Sequence, residues 1–230
     1  MKKLKISSEA VYVIAILLLS FAVAMISSTG FGVSMIVAPA YIISLKVDFL
    51  TFGQAEYLVQ GILFILFCLL NKRFKPIYLC SFLTGIVYGA FLDLWRKVIP
   101  HFNPDITAVG SLPMVLKIVY FICGMLLTAL SIALFFKTYI YPQVYDFFVK
   151  GISSKYSINT TRFKMCFDAS FLVIAVILSL VLFKRLNGIG IGTVIMTCFN
   201  GMLIGLFGKL IEKHLVISPC FKSLSEKFNI

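Results

Sequence analysis

The apolar residues of this chain fall into runs of about 18 or more, and that run length constrains the fold more than any other feature. A helix rises ~1.5 Å per residue, so such runs match a hydrocarbon layer ~30 Å thick rather than the apolar stripe of a soluble helix. Only 13% of the 230 residues are charged and 60% are hydrophobic, with a mean hydropathy of +1.02. A soluble domain needs roughly 25% charged residues to cover its surface. The sequence therefore predicts an all-α, polytopic membrane helix bundle of about six spans, forming a single transmembrane domain over residues 1–230.

Spans are expected over 52–70, 77–95, 114–136, 164–183 and 188–211. The first stretch, 10–45, is too long for one untilted helix. It contains Ser27-Ser28-Thr29-Gly30-Phe31-Gly32 and then Ala38-Pro39-Ala40. These residues predict a long helix ending near 30–32, followed by a short broken or half-inserted segment. A continuous, kinked helix is the other course open to 31–45. Residues 142–150 read as a short helix lying in the interface. The run after MKKLK lacks a small-residue cleavage site and reads as a retained span. Residues 218–230 read as a cytoplasmic tail.

A net charge of +12 would suggest nucleic acid in a soluble protein. Here the basic residues sit in short connections, where they serve as topology signals and lipid headgroup contacts, so no nucleic-acid partner is expected. With the N-terminus in the cytoplasm and six spans, the inner side holds Lys2, Lys3, Lys5, Lys72, Arg73, Lys75, Lys137, Lys150, Lys155, Arg162, Lys164, Lys209, Lys213, Lys222 and Lys227. The outer side keeps Lys46, Arg96, Lys97, Lys117, Lys184 and Arg185. The positive-inside rule then places both termini in the cytoplasm. The six cysteines form no CxxC pair, and His101 and His214 lie far apart. Neither a disulfide framework, a metal site nor a cofactor is expected.

Shifting the chain by 112 positions sets Lys72-Arg73 on Lys184-Arg185, Ser81 on Thr193, Gly89 on Gly201, Lys97 on Lys209 and Glu56 on Asp168. This reads as a 3+3 inverted repeat with broken helices, 1–112 and 113–217. Such repeats are a common way to build transporters.

Polar groups inside spans are the candidate substrate contacts. Glu56 and Gln60 share a helix face. A carboxylate at the bilayer centre costs about 2.5–3.5 kcal/mol on the insertion scale. Glu56 is either a substrate or proton contact, or an acid welcomed by the first turn's dipole. Asp93 precedes Arg96 by three residues and can pair with it, or it turns inward to bind a cation or proton. Asp168 opens the fifth span. Thr193 and Asn200 lie in a glycine-rich sixth span, where Gly190, Gly192 and Gly201 permit either close helix packing or a break that offers backbone groups to a ligand. Gly30, Gly32 and Pro39 do a comparable job in the first half, as a cavity wall. Gly188–Gly192 has half the look of a dinucleotide fingerprint, but no strand precedes it.

The segments Gly30-Phe31-Gly32 through Ala38-Pro39-Ala40-Tyr41, Gly53-Gln54-Ala55-Glu56-Tyr57, Gly89 through Asp93-Leu94-Trp95, and Gly188-Ile189-Gly190-Ile191-Gly192-Thr193 with Asn200-Gly201 resemble the bacterial YczE/YitT-type membrane proteins. The resemblance implies a compact helical protein of the bacterial inner (plasma) membrane, and it supplies no substrate or catalytic residues. The sequence thus predicts a small-solute transporter or permease, working alone or as a homodimer. The alternative is a non-transporting membrane partner or substrate-capture subunit. A lipid-modifying enzyme is not expected, because no HxxxH, His-Asp or Ser-His constellation is present.

Overall fold

A computed structural model describes residues 4–72, 74–221 and 225–226. Lys2, Lys3, Arg73, Lys222, Lys227 and the end of the expected tail lie outside the described residues. The chain forms β1 (Leu4–Ser7), α1 (Ser8–Ser28), α2 (Ala38–Ser44), α3 (Phe52–Asn71), a 3-10 turn (Pro76–Tyr78), α4 (Leu79–Val98), α5 (Met114–Phe135), α6 (Val144–Lys155), α7 (Thr160–Phe183), α8 (Ile191–His214) and β2 (Leu215–Ser218). Six helical segments are long and apolar enough to cross a membrane: α1, α3, α4 with its preceding turn, α5, α7 and α8. The all-α bundle expected from the sequence is thus present.

Local chemistry sets the helix ends. Ser7 caps α1 by accepting from the Ala10 N–H, and Thr51 with Gln54 forms a reciprocal capping box at the start of α3. α3 and α7 both stop at a lysine in the left-handed conformation, Lys72 at φ 52° and Lys184 at φ 58°. The long first apolar stretch divides after Ser28, and the short α2 follows with Pro39 in its first turn. There the missing proline N–H costs nothing.

Helices α4, α1, α5 and α8 pack side by side in that order. α3 packs on α4, while α2 and α6 each bridge α3 and α7. Gly53 lets α3 approach α4 closely: a Cβ there would collide with the Gly89 carbonyl and the Asp93 carboxylate. The connections gather at two ends. One end holds β1, β2, the turn before α4 and the α5–α6 loop, tied by Glu9, which accepts from Tyr139 Oη at 2.7 Å and from the Cys220 and Phe221 N–H groups. The other end brings the α1–α2 loop against residues 188–193 and against Gly110.

The segment around 142–150 forms a helix, as expected. Val144, Tyr145, Phe147, Phe148, Val149 and Ile152 are buried, packing on α3 and α7, while Asp146, Lys150 and Ser154 line the more open stripe opposite. One expectation is corrected: the last span starts three residues later, at Ile191, since residues 188–190 stay outside the helix, with Gly188 at φ +78° and its carbonyl accepting from the Val33 N–H of the α1–α2 loop.

Candidate polar site within the bundle

Glu56 and Gln60 stand one turn apart on α3 and are both fully buried. Gln60 Nε2 donates to Glu56 Oε2 at 3.1 Å. α6 supplies the rest of the shell. Tyr145 Oη donates to the same carboxylate oxygen at 3.0 Å, the Val144 N–H donates to Gln60 Oε1 at 3.4 Å, and Gln143 Oε1 accepts from Gln60 Nε2 at 3.5 Å. Burial, and then the neighbouring Glu56 carboxyl, push the Tyr145 hydroxyl well above its ordinary value, so it stays a donor. Tyr88 of α4 is also fully buried and lies within electrostatic reach of Glu56. Among the described residues, Glu56 Oε1, Tyr88 Oη and Gln143 Nε2 are buried without a partner. No ion pair reaches Glu56 among the described residues.

A second set of residues meets where the α1–α2 loop crosses the start of α8. The Gly192 N–H donates to Phe31 O at 2.8 Å, the Val33 N–H to Gly188 O at 3.3 Å, and Thr193 Oγ1 to Val33 O at 2.7 Å. Gly32 lies against Gly190, and Gly30 against Gly110. The structure therefore brings together Gly30, Gly32, Gly190, Gly192 and Thr193, with Pro39 beyond them at the start of α2. Backbone groups released by a helix break in lipid need partners within the protein, and these bonds supply them.

The other end of the bundle repeats this arrangement with different residues. Ser81 Oγ donates to Pro142 O at 2.8 Å and Thr84 Oγ1 to Tyr141 O at 3.1 Å, so the start of α4 holds the α5–α6 loop.

The remaining candidates stand apart. Asp93 does not pair with Arg96. It caps α3 from α4, accepting from Thr51 Oγ1 at 2.5 Å and from the Gly53 N–H at 2.8 Å, while Arg96 lies 5.4 Å over the Phe52 ring. A carboxylate at a helix N-terminus is favoured by the dipole as well as by these bonds. Asp93→Ala should lower stability by about 1–2 kcal/mol, with Asp93→Asn milder, read as thermal unfolding of the detergent-solubilised protein. Asp168 is held by Lys164 at 3.2 Å, and the same lysine pairs with Asp146 at 2.9 Å. Asn200 lies mid-way along α8 with Oδ1 unpartnered. Gly201 is no break: α8 runs unbroken through it, with nothing within 4 Å of its missing Cβ. An unbroken ladder satisfies every backbone group in lipid, which outweighs the ~1 kcal/mol that glycine costs a helix.

Sequence reasoning missed Tyr88, Gln143 and Tyr145. No local spacing marks them: Gln143 and Tyr145 are brought to the site by the start of α6, and Tyr88 by α4.

A bundle with six helices long and apolar enough to cross a membrane defines a polytopic integral membrane protein. The chain belongs to a family of unknown function, DUF6198, which it matches over residues 6–209. It is also 31% identical over 205 residues to the "Uncharacterized protein YyaS" of Bacillus subtilis (strain 168), covering 88% of this chain and 93% of that one. No solved structure matches.

Proposed function

We propose that this chain is a small-solute transporter of the bacterial plasma membrane, built from two inverted halves with both termini cytoplasmic. One observation carries the reading: each half sends a loop across to be held by a hydroxyl of the other half. Thr193 Oγ1 of α8 holds the carbonyl of Val33, and Ser81 Oγ of α4 holds that of Pro142. The 112-residue shift places Ser81 on Thr193. The helix order supports the same reading. Each half runs long, short, long, long, and α1 on α4 answers α5 on α8 as α2 on α3 answers α6 on α7. Half-inserted helices at a repeat interface are where transporters of this kind place their ligands. The YczE/YitT-type resemblance of the Gly188–Gly192 region and Asn200-Gly201 fits within this proposal, as does the cytoplasmic assignment drawn from Lys and Arg placement.

One difference between the halves favours a second reading, that of a membrane partner subunit or a homodimer. α3 packs on α4, whereas α8 packs chiefly on α5 and leaves open space where a Cβ would stand at Gly201, Gly205 and Gly208. The purified protein in liposomes, tested with a panel of labelled small metabolites, separates the two. The transporter reading expects uptake above empty vesicles, lowered about tenfold or more by Glu56→Gln. No uptake from any solute, together with a stoichiometric membrane partner retained in mild detergent, overturns it.

A further inference from the structure

We propose that Glu56 is a proton-binding site closed by α6: its carboxyl carries a proton on Oε1 while α6 is docked and releases it when α6 withdraws. Three observations converge on it. The side chain is fully buried, and no cation pairs with it among the described residues. Both hydrogen bonds that the carboxyl accepts, from Gln60 Nε2 and Tyr145 Oη, fall on Oε2. Oε1 has no hydrogen-bond partner among the described residues. An ionised carboxylate placed so would be an uncompensated charge in the interior of the bundle with half its acceptor capacity unused. A proton on Oε1 removes the charge and turns that oxygen into a donor. It also needs no volume in a site where Gly85 must lack a side chain to admit Gln60.

The fold supplies the device for exchange. Tyr145, Gln143 and Val144 all belong to the first turn of α6 or its cap, so the half of the shell that covers Glu56 moves as one element. Withdrawal of α6 exposes the carboxyl to water, the O–H bond of Oε1 breaks, and the proton passes to that water, leaving a solvated carboxylate. Re-docking requires the proton to return, so acid pH favours the docked state. Neighbouring titratable groups do not replace Glu56 in this role. α4 offers Tyr88, with Asp93 engaged at Thr51 and Gly53 and Arg96 over Phe52. α6 offers Tyr145, with Asp146 paired to Lys164 of α7, which also holds Asp168. Tyr41 of α2 donates to Ser27 O at 3.1 Å. As the coupling ion of a transporter, this proton rests on the function proposed above; its binding at Glu56 does not.

Infrared difference spectroscopy of the full chain in lipid, between acid and alkaline pH, reads the C=O stretch of a protonated carboxyl. The expected result is a carboxylic-acid band that vanishes as pH rises, is lost in Glu56→Gln and persists in Asp168→Asn. The band should shift in Tyr145→Phe, which removes one hydrogen bond from Oε2 and leaves Oε1 untouched. If Glu56→Gln does not fold, that shift carries the assignment in its place. A band unchanged in both variants overturns the proposal, as does a Glu56 band that stays constant from acid to alkaline pH. A titrating band with no uptake of any solute removes the transporter reading and leaves the proton site standing. Uptake without such a band does the reverse.

Discussion

Gly32→Ala should destabilise the protein by about 2–5 kcal/mol, whereas Gly201→Ala should leave it unchanged or slightly more stable. Gly32 sits at φ +94°, a conformation that costs a side-chain-bearing residue about 1–2 kcal/mol. A Cβ there would also lie 2.5 Å from both the Gly190 N and Thr193 Oγ1. The Gly190 backbone cannot retreat without breaking the bonds from the Gly192 N–H to Phe31 O and from Thr193 Oγ1 to Val33 O. Overpacking of this kind adds about 1–3 kcal/mol. Gly201 meets nothing within 4 Å and lies in an ordinary helix, where alanine is the better former by about 1 kcal/mol. Thermal unfolding of both variants in one detergent checks the pair. Equal losses would show that glycine content rather than the loop crossing governs stability.

Glu56→Ala should cost about 2–5 kcal/mol, and Glu56→Gln much less. The alanine change leaves Tyr145 Oη and Gln60 Nε2 buried with a lost acceptor, each a penalty of about 1–3 kcal/mol, and opens a cavity between α3 and α6. Glutamine keeps an acceptor oxygen and nearly the same volume. Combining Glu56→Ala with Tyr145→Phe should cost less than the two changes summed, by about 1–3 kcal/mol, because the second change removes the hydroxyl that the first left unpartnered. A double-mutant cycle by thermal or denaturant unfolding measures that difference. Strict additivity would mean that the Tyr145 bond contributes nothing to docking α6.

The spans were legible because the lipid requires apolar runs of a fixed length, and that requirement is met locally. α3 and α5 begin where the sequence places them, at Phe52 and Met114, and the first stretch divides after Ser28. What was not legible depends on distant partners. Nothing within the 89–96 segment shows that Asp93 looks back to Thr51 and Gly53 rather than forward to Arg96. Gln60 next to Glu56 follows from i, i+4 spacing, but Gln143 and Tyr145 reach the site only because α6 turns back into the bundle. Phe147 and Phe148 of α6 likewise meet Phe67 of α3 and Phe167 of α7 across a sequence gap that periodicity does not see.

The pairing of β1 with β2, Leu4 opposite Leu215 and Ser7 opposite Ser218, bears on how the chain assembles. The strand made first has for its partner a strand more than 200 residues later, so this clasp has to wait until α8 has emerged and inserted. Contacts so far apart in sequence form late, because the closure entropy of the loop between them must be met before they contribute. Until then β1 has an open edge. Only a chain extended through Ser218 can shut that edge, and Glu9 then grips the backbone just beyond it at Cys220 and Phe221. A chain stopped short of β2 would leave the β1 edge unpaired and Glu9 without its partners at Cys220 and Phe221.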